Sequence, residues 1–170
     1  EVDTEEHSDG VGVQIRLGEG IRLKQPVQLC FGMIPEEGLQ HIIMDVSVEE
    51  NASASIIAHC TFPNAVKIEH KMDAEITIGP GARYSYFERH IHGREGGVDV
   101  IPKAKVRLKE GARFKTEFEL IKGRVGEIDI DYQTVAEAHS VLEMIARISG
   151  RGNDRIRIHE SAHLIGEYAR

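Results

Sequence analysis

The chain has 170 residues, of which 41% are hydrophobic and 29% are charged, a composition typical of a soluble globular protein with one core. Its net charge of −7 disfavours nucleic acid as the main partner, because phosphate binding needs a basic surface. There is no run of 18 apolar residues, so no membrane span is predicted. Two cysteines are too few for a disulfide framework, and free thiols indicate a reducing cytoplasm.

Residues 1–10 are acidic and show no periodicity, which predicts an acidic tail. From residue 11 onward, short runs alternate apolar and polar residues, which is the period of a β-strand. A recurring tight turn, first seen as Leu-Gly-Glu-Gly-Ile over 17–21, separates these runs. The fourth residue of the turn recurs at Gly20, Asn51, Gly81, Gly111 and His139. The spacings are therefore 31, 30, 30 and 28 residues.

A period in this range is typical of a repeat architecture, in which stacked units share one core. Each unit is a strand, a tight turn, a strand and a connection. The prediction is an all-β, right-handed parallel β-helix with about 30 residues and two strands per coil. It forms a single domain of about six coils over residues 11–170. Residues 135–145 also fit helical spacing, but the register of the repeat favours a turn followed by a strand.

The predicted register places charged residues at equivalent outward positions of neighbouring coils. One such column contains Asp73, Lys103 and Asp131, and another contains Arg89 and Glu119. A third column contains Asp45, Glu75, Lys105 and Gln133. Alternation of opposite charges between neighbouring strands is favourable, which supports this register.

Several stretches of the chain resemble the SufB/SufD family, the scaffold proteins of iron–sulfur cluster assembly, in an archaeal-type form. They are HCTFPNA (59–65), MDAEI (72–76), GGVDVIPKA (96–104), and KGRVG (122–126) followed by IDIDY (128–132). The resemblance extends from about residue 11 to the end. It implies a cytoplasmic, non-catalytic scaffold that acts with a Suf-type ATPase and a homologous SufB/SufD subunit, as a homo- or hetero-oligomer. Iron or a transient iron–sulfur cluster is the implied bound species.

The chain also departs from the family pattern. Family members carry further coils and a C-terminal helical segment, and the cluster-linked cysteine and His-Glu-Ala-like stretches lie in that later part. The similar His-Glu-Ser-Ala at 159–162 is interpreted as part of a repeat turn and as accidental. The chain is therefore expected to correspond to the N-terminal part of the β-helix core, truncated at its C-terminal end, with an open strand edge that promotes self-association.

The candidate metal- or cluster-binding residues are Cys60, Glu88, His90 and His92. Cys60 and His90 each lie eight positions after the alanine that closes a turn, so they share a face on neighbouring coils. Glu88 and His92 are two residues to either side of His90. Thiolate, imidazole and carboxylate groups at this spacing can hold iron or zinc. The alternative is that Cys60 is a small buried apolar residue and that both histidines belong to the following glycine-rich loop.

Two other residues, Cys30 and His70, are interpreted structurally. Cys30 is predicted to point outward with no histidine in register. His70 is predicted to be a core histidine whose polar partner is Gln40, at the equivalent position of the preceding coil.

Two alternative functions remain open from the sequence. His90, His92 and Glu95 resemble the metal-binding run of cupin enzymes, although Glu95 is closer than that pattern requires and the repeat favours parallel coils. The chain could also be a purely structural β-helix that acts only through protein contacts. No phosphate loop or Ser-His-Asp pattern is present, so no ATP hydrolysis is predicted.

Overall fold

The computed structural model describes residues 1–8 and 10–170; position 9 of the predicted tail lies outside the described residues. Over these residues the chain forms twelve β-strands and no helix. In this part of the chain, therefore, no helix has the length and apolar character to cross a membrane. The strands are β1 (Val2–His7), β2 (Gly10–Leu17), β3 (Val27–Gly32), β4 (Glu37–Val48), β5 (Ser53–Phe62), β6 (Lys67–Ile78), β7 (Arg83–His92), β8 (Val98–Leu108), β9 (Arg113–Lys122), β10 (Glu127–Ala136), β11 (Val141–Ile148) and β12 (Arg155–Leu164).

The strands form two sheets that enclose one core. The first sheet has the order β1-β2-β4-β6-β8-β10-β12, and the second has the order β11-β9-β7-β5-β3. Successive coils pair in parallel. Paired residues such as Ile42 and Met72, or Cys60 and His90, are 30 positions apart in the sequence. The predicted all-β, parallel β-helix with two strands per coil is confirmed. Five coils run from β2–β3 to β10–β11, and β12 begins the next.

The recurring turn has the backbone conformation that its sequence predicts. Its fourth residues all have positive φ, between 56° and 67°: Gly20, Asn51, Gly81, Gly111 and His139. In each turn the next residue donates its N–H to the carbonyl three residues earlier, as Ala82 does to Gly79 at 3.1 Å. Glycine or asparagine at such a position, with proline before it in Gly-Pro-Gly, is typical of a type II turn. The turns also stack, since Gly81 N–H donates to the Glu110 carbonyl at 2.9 Å.

A sixth turn follows β12, which corrects one sequence interpretation. Tyr168 has a φ of 58°, and Ala169 N–H donates to the Gly166 carbonyl at 3.4 Å, as in the other turns. Residues 159–162 therefore do not lie on a turn; they are in the middle of β12. The signal that identifies this turn is Ile-Gly-Glu at 165–167, which repeats the Leu-Gly-Glu of 17–19.

Residues at the start of the chain form a strand where the sequence predicts an acidic tail. β1 pairs antiparallel with β2, from Val2 opposite Ile15 to His7 opposite Gly10. Every residue of β1 is exposed. A strand that is exposed on both faces has no apolar alternation, which explains why sequence periodicity does not reveal it.

The predicted register of the outward columns is the register that the strands adopt. Asp73 and Asp131 both flank Lys103, and Arg89 pairs with Glu119 through a 2.6 Å ion pair. The expected alternation of charge fails at one place, where Asp45 lies directly beside Glu75. Residues 135–145 end β10, form a turn and begin β11, as the repeat predicts. Register thus follows from the turns and the buried faces, and charge pairing only accompanies it.

Candidate metal centre

Three ionisable side chains occupy successive inward positions of β7. Glu88, His90 and His92 are 2%, 1% and 7% exposed, and they alternate with outward residues. The same positions of the neighbouring strands β5 and β9 are mostly apolar, for example Ala58 and Phe118 beside Glu88. The interpretation that the two histidines belong to the glycine-rich loop is therefore wrong, because both lie within β7, which ends at His92.

Cys60 lies on the neighbouring coil, in the predicted register with His90. Its side chain is buried, and Sγ donates to Glu88 Oε1 at 3.6 Å. The same oxygen accepts a 2.6 Å hydrogen bond from His90 Nε2. The structure therefore brings together the thiol, the carboxyl group and the imidazole that the sequence places on one face.

A fourth side chain reaches the group from the opposite sheet. His70, on β6, is 2% exposed, and ligand-type atoms of Cys60, His70, Glu88 and His90 all lie within 4.8 Å of one another. The predicted partner of His70 is wrong: Gln40 is its strand neighbour but donates to the Gly32 carbonyl instead. His70 Nδ1 and Glu88 Oε2 are buried without a hydrogen-bond partner.

Aromatic rings enclose this buried group, which we call the CHEH cluster (Cys60, His70, Glu88, His90). The ring of Phe62 lies 5.0 Å from that of His70, and the ring of Phe118 lies 4.6 Å from that of His90. Unpaired polar atoms are costly in such a low-dielectric interior. The two unpaired atoms, His70 Nδ1 and Glu88 Oε2, belong to residues of one compact set of metal-type ligands. A bound metal ion would compensate for their missing hydrogen bonds.

His92 lies outside the CHEH cluster but supports it. Its Nε2 lies 3.1 Å from His90 Nδ1, and its own Nδ1 donates to the Arg124 carbonyl at 3.1 Å. The Arg124 side chain is in turn held by Asp154 and Asn153. Of the four predicted ligand residues, Cys60, Glu88 and His90 lie in the CHEH cluster, and His92 contacts the cluster through His90. His70 is the fourth member of the cluster.

The protonation states follow from burial and from these contacts. Burial raises the pKa of the Cys60 thiol well above its usual value, and the charge of Glu88 adds to the effect. Burial also acts to raise the pKa of Glu88, but the hydrogen bond and charge of His90, with help from His70 and Cys60, bring the net pKa below its usual value. Glu88 is therefore the ionised acceptor of both hydrogen bonds.

The two flanking histidines are neutral at physiological pH. Burial and the nearby charge of His90 lower the pKa of His70 to about 4. The same two causes lower the pKa of His92 to about 3, opposed by its hydrogen bond to Arg124. Because neutral His92 donates through Nδ1 to the Arg124 carbonyl, its Nε2 accepts from His90 Nδ1.

Comparison with known proteins identifies the family. No protein-family model matches the chain. It is 32% identical over 169 residues, 99% of its length, to an iron–sulfur cluster assembly SufBD family protein of Methanocaldococcus jannaschii. It is 31% identical over 166 residues, 98% of its length, to a protein of the same description from Pyrococcus horikoshii. The chain belongs to the SufBD family. It spans 54% and 50% of the lengths of these two relatives, about half of each.

Family membership and geometry together disfavour the cupin-like arrangement. The strands of this SufBD family chain around His90 pair in parallel rather than as an antiparallel barrel. Glu95 is exposed in the connection after β7, whereas His90 and His92 are buried. The ligand-type side chains gathered around His90 are those of the CHEH cluster, and Glu95 is not among them.

Cys30 of this SufBD family chain is exposed, as predicted, but it has a histidine neighbour that the turn-based count misses. Cys30 pairs with His59 in register. Arg22 pairs with Ser53, 31 residues on, whereas Val27 pairs with Ile56, only 29 residues on. The first coil therefore holds two extra residues between its turn and β3, which shifts every later position of that strand.

Proposed function

We propose that this chain is a non-catalytic scaffold component of iron–sulfur cluster assembly in the cytoplasm. The observation that carries the proposal is similarity across nearly the whole chain to two archaeal proteins described as iron–sulfur cluster assembly SufBD family proteins. The two cysteines are free, which is compatible with a reducing compartment.

The chemistry of the CHEH cluster supports a role in handling iron. Thiolate and imidazole ligands suit iron and zinc, and a carboxylate adds charge to hold a cation. The predicted site residues Cys60, Glu88, His90 and His92 form one hydrogen-bonded chain in the interior. This is the part of the described chain where iron, or a transient cluster, would find soft and hard donors together.

Burial favours a scaffold over an enzyme. Cys60, Glu88 and His90 are at most 2% exposed, so an organic substrate could not reach them without opening the coil. A metal ion is small enough to enter through minor side-chain displacements. Turnover of a small organic molecule at this site would contradict the proposal.

The proposed partners are a Suf-type ATPase and a homologous SufB/SufD subunit. Family membership supports both. Co-expression with a tagged Suf-type ATPase should recover the chain in a complex. In the same preparations ATP hydrolysis should depend on the ATPase, and hydrolysis by the isolated chain would contradict the assignment.

Anaerobic reconstitution with ferrous iron and sulfide tests the proposed function directly. We expect a sulfide-dependent visible absorption band in the wild-type chain, reduced or lost in Cys60→Ser. The matched control is Cys30→Ser, which removes the exposed thiol and should retain the band.

The alternative outcomes separate the competing functions. A band that disappears in Cys30→Ser but not in Cys60→Ser would place iron at the surface and refute the buried site. No band in any of the three proteins would favour the purely structural β-helix, which acts only through protein contacts.

A further inference from the structure

We infer that Cys60, His70, Glu88 and His90 form a closed, four-ligand site that binds one divalent transition-metal ion, iron(II) or zinc, when no sulfide is present. The inference rests on the geometry of the CHEH cluster, and on the proposed function only for the choice of iron as the ion in the cell. It differs from the predicted ligand set by replacing His92 with His70.

The distances within the CHEH cluster fit a single ion. In a tetrahedral site with bonds of about 2.0 Å to nitrogen or oxygen and about 2.3 Å to sulfur, neighbouring ligand atoms lie roughly 3.3–3.8 Å apart. Cys60 Sγ and Glu88 Oε1 are 3.6 Å apart, and all four ligand atoms lie within 4.8 Å of one another. Glu88 Oε1 and His90 Nε2, at 2.6 Å, must separate by roughly 0.7 Å to admit the ion.

The four ligands come from three strands on both sheets, which makes the site closed. Cys60 lies on β5, His70 on β6, and Glu88 and His90 on β7. Four protein ligands around one metal ion are the arrangement of structural rather than catalytic sites. The neighbouring rings of Phe62 and Phe118 leave apolar walls around the group.

The charges of the CHEH cluster balance a divalent ion. On binding, the Cys60 thiol loses its proton, because the thiolate is the form that ligates a metal. The thiolate and the carboxylate then carry two negative charges against the 2+ charge of the ion. The occupied site is therefore neutral, which avoids burial of net charge.

Residues beyond the four ligands orient His90. Its Nδ1 donates to His92, whose other nitrogen donates to the Arg124 carbonyl, so Nε2 is directed towards the ion. Metal-bound histidines usually have such a second hydrogen bond, and its loss typically weakens metal affinity by about 10–100-fold. His92 therefore acts on the metal through His90.

Titration of the metal-free, reduced chain with cobalt(II), without sulfide, tests this site. We expect one equivalent to bind, with a thiolate-to-cobalt charge-transfer band and the strong visible bands of a tetrahedral ion. Cys60→Ser should abolish the charge-transfer band, and His70→Gln and Glu88→Gln should weaken binding at least tenfold. His92→Asn should keep the bands but bind about 10–100-fold more weakly, and Cys30→Ser should be unchanged.

X-ray absorption of the zinc-loaded wild-type chain keeps the inference testable if a variant fails to fold. One sulfur and three nitrogen or oxygen neighbours are expected, and two or more sulfurs, or none, would overturn it. Absence of cobalt binding to the wild type would overturn it as well. Because no sulfide is present, these results are independent of cluster reconstitution. A chain that fails this test can still form a cluster with sulfide, and a chain that passes it can fail to form one.

Discussion

Buried ionisable side chains set this interior apart from an ordinary apolar core. Glu88, His90 and His92 occupy inward positions where neighbouring coils place alanine, phenylalanine or leucine, except that Cys60 lies beside His90. Each is hydrogen-bonded, which offsets the cost of burial only in part, since Glu88 Oε2 has no partner. Buried polar groups of this kind lower the stability of a fold, and they are typical of functional sites.

The metal-free protein should lose stability as the pH falls from about 6.5 to about 4. His70 has a pKa of about 4 and His92 a pKa of about 3 when folded, against about 6.5 in the unfolded chain. Between these values the unfolded state binds more protons, so the free energy of unfolding rises with pH. Denaturant unfolding in a chelating buffer at several pH values measures this slope.

Substitution of His70 tests whether the buried site causes this dependence of the unfolding free energy on pH. His70→Gln cannot bind the proton, so it should flatten the dependence of the unfolding free energy on pH in this window. His163→Gln changes a histidine on the exposed strand β12 and is the matched control. Equal slopes in His70→Gln and in the wild type would contradict the assignment.

The sequence alone places four of the five important side chains of the site. Cys60, Glu88, His90 and His92 follow from counting along one sheet, where backbone pairing holds equivalent positions side by side. His70 is correctly predicted to be inward, but its membership of the cluster could not be predicted. No hydrogen-bond register connects the two sheets, so which inward residues meet across the core depends on packing.

At the scale of elements, the turn determines how each coil closes. A residue with positive φ is required at its fourth position, and glycine adopts this conformation without steric cost. Asn51 and His139 show that other residues are tolerated there. The alanine or serine that follows is fully buried in most coils, as at Ala82, Ala112 and Ser140, where a larger side chain would not fit.

Gly111→Ala should destabilise the fold by about 1–2 kcal/mol, the cost of a left-handed conformation for a residue with a Cβ atom. Gly111 has a φ of 67°, and an added Cβ would meet nothing closer than 3.8 Å, so the effect isolates backbone strain. Chemical denaturation of the two proteins under identical conditions measures the difference.

Gly18→Ala is the control for this prediction. Gly18 lies in the equivalent turn of the first coil but without positive φ, and an added Cβ would lie 3.9 Å from Ile21. The unfolding free energy should change by less than about 0.5 kcal/mol. A similar loss in both variants would mean that the turn tolerates any conformation and that position four has no special role.

At the scale of the whole molecule, the core is covered unequally at its two ends. β1 pairs with the outer edge of β2, whereas β12 has a free edge. Ile156 and Ile158 continue the fully buried column of Ile128 and Ile130 but are 41% and 42% exposed. An unpaired edge next to exposed apolar residues promotes association with other β-strands.

The isolated chain should therefore self-associate through β12 as its concentration rises. Ile158→Lys, which places a charge next to this edge, should shift the protein towards the monomer in sedimentation velocity experiments. Ile43→Lys changes an isoleucine of similar exposure on the outer face of β4 and should leave association unchanged. A wild-type chain that stays monomeric at high concentration would contradict this prediction.

The amino-acid sequence by itself determined the repeat, the parallel register and the inward face of each strand. These properties are local: turn chemistry needs particular residues at position four, and alternation with a period of two assigns each side chain to one face. The same counting aligned Cys60 with His90, because these two residues are 30 positions apart and so are the turns that precede them.

Only the tertiary structure decided which groups meet across the core and where the number of residues per coil changes. His70 reaches Glu88 and His90 from the other sheet, and two extra residues in the first coil bring Cys30 beside His59. Strand β1 has no buried face and depends entirely on backbone pairing with β2. These features depend on contacts between segments with no shared sequence periodicity, so a pattern along the chain cannot encode them.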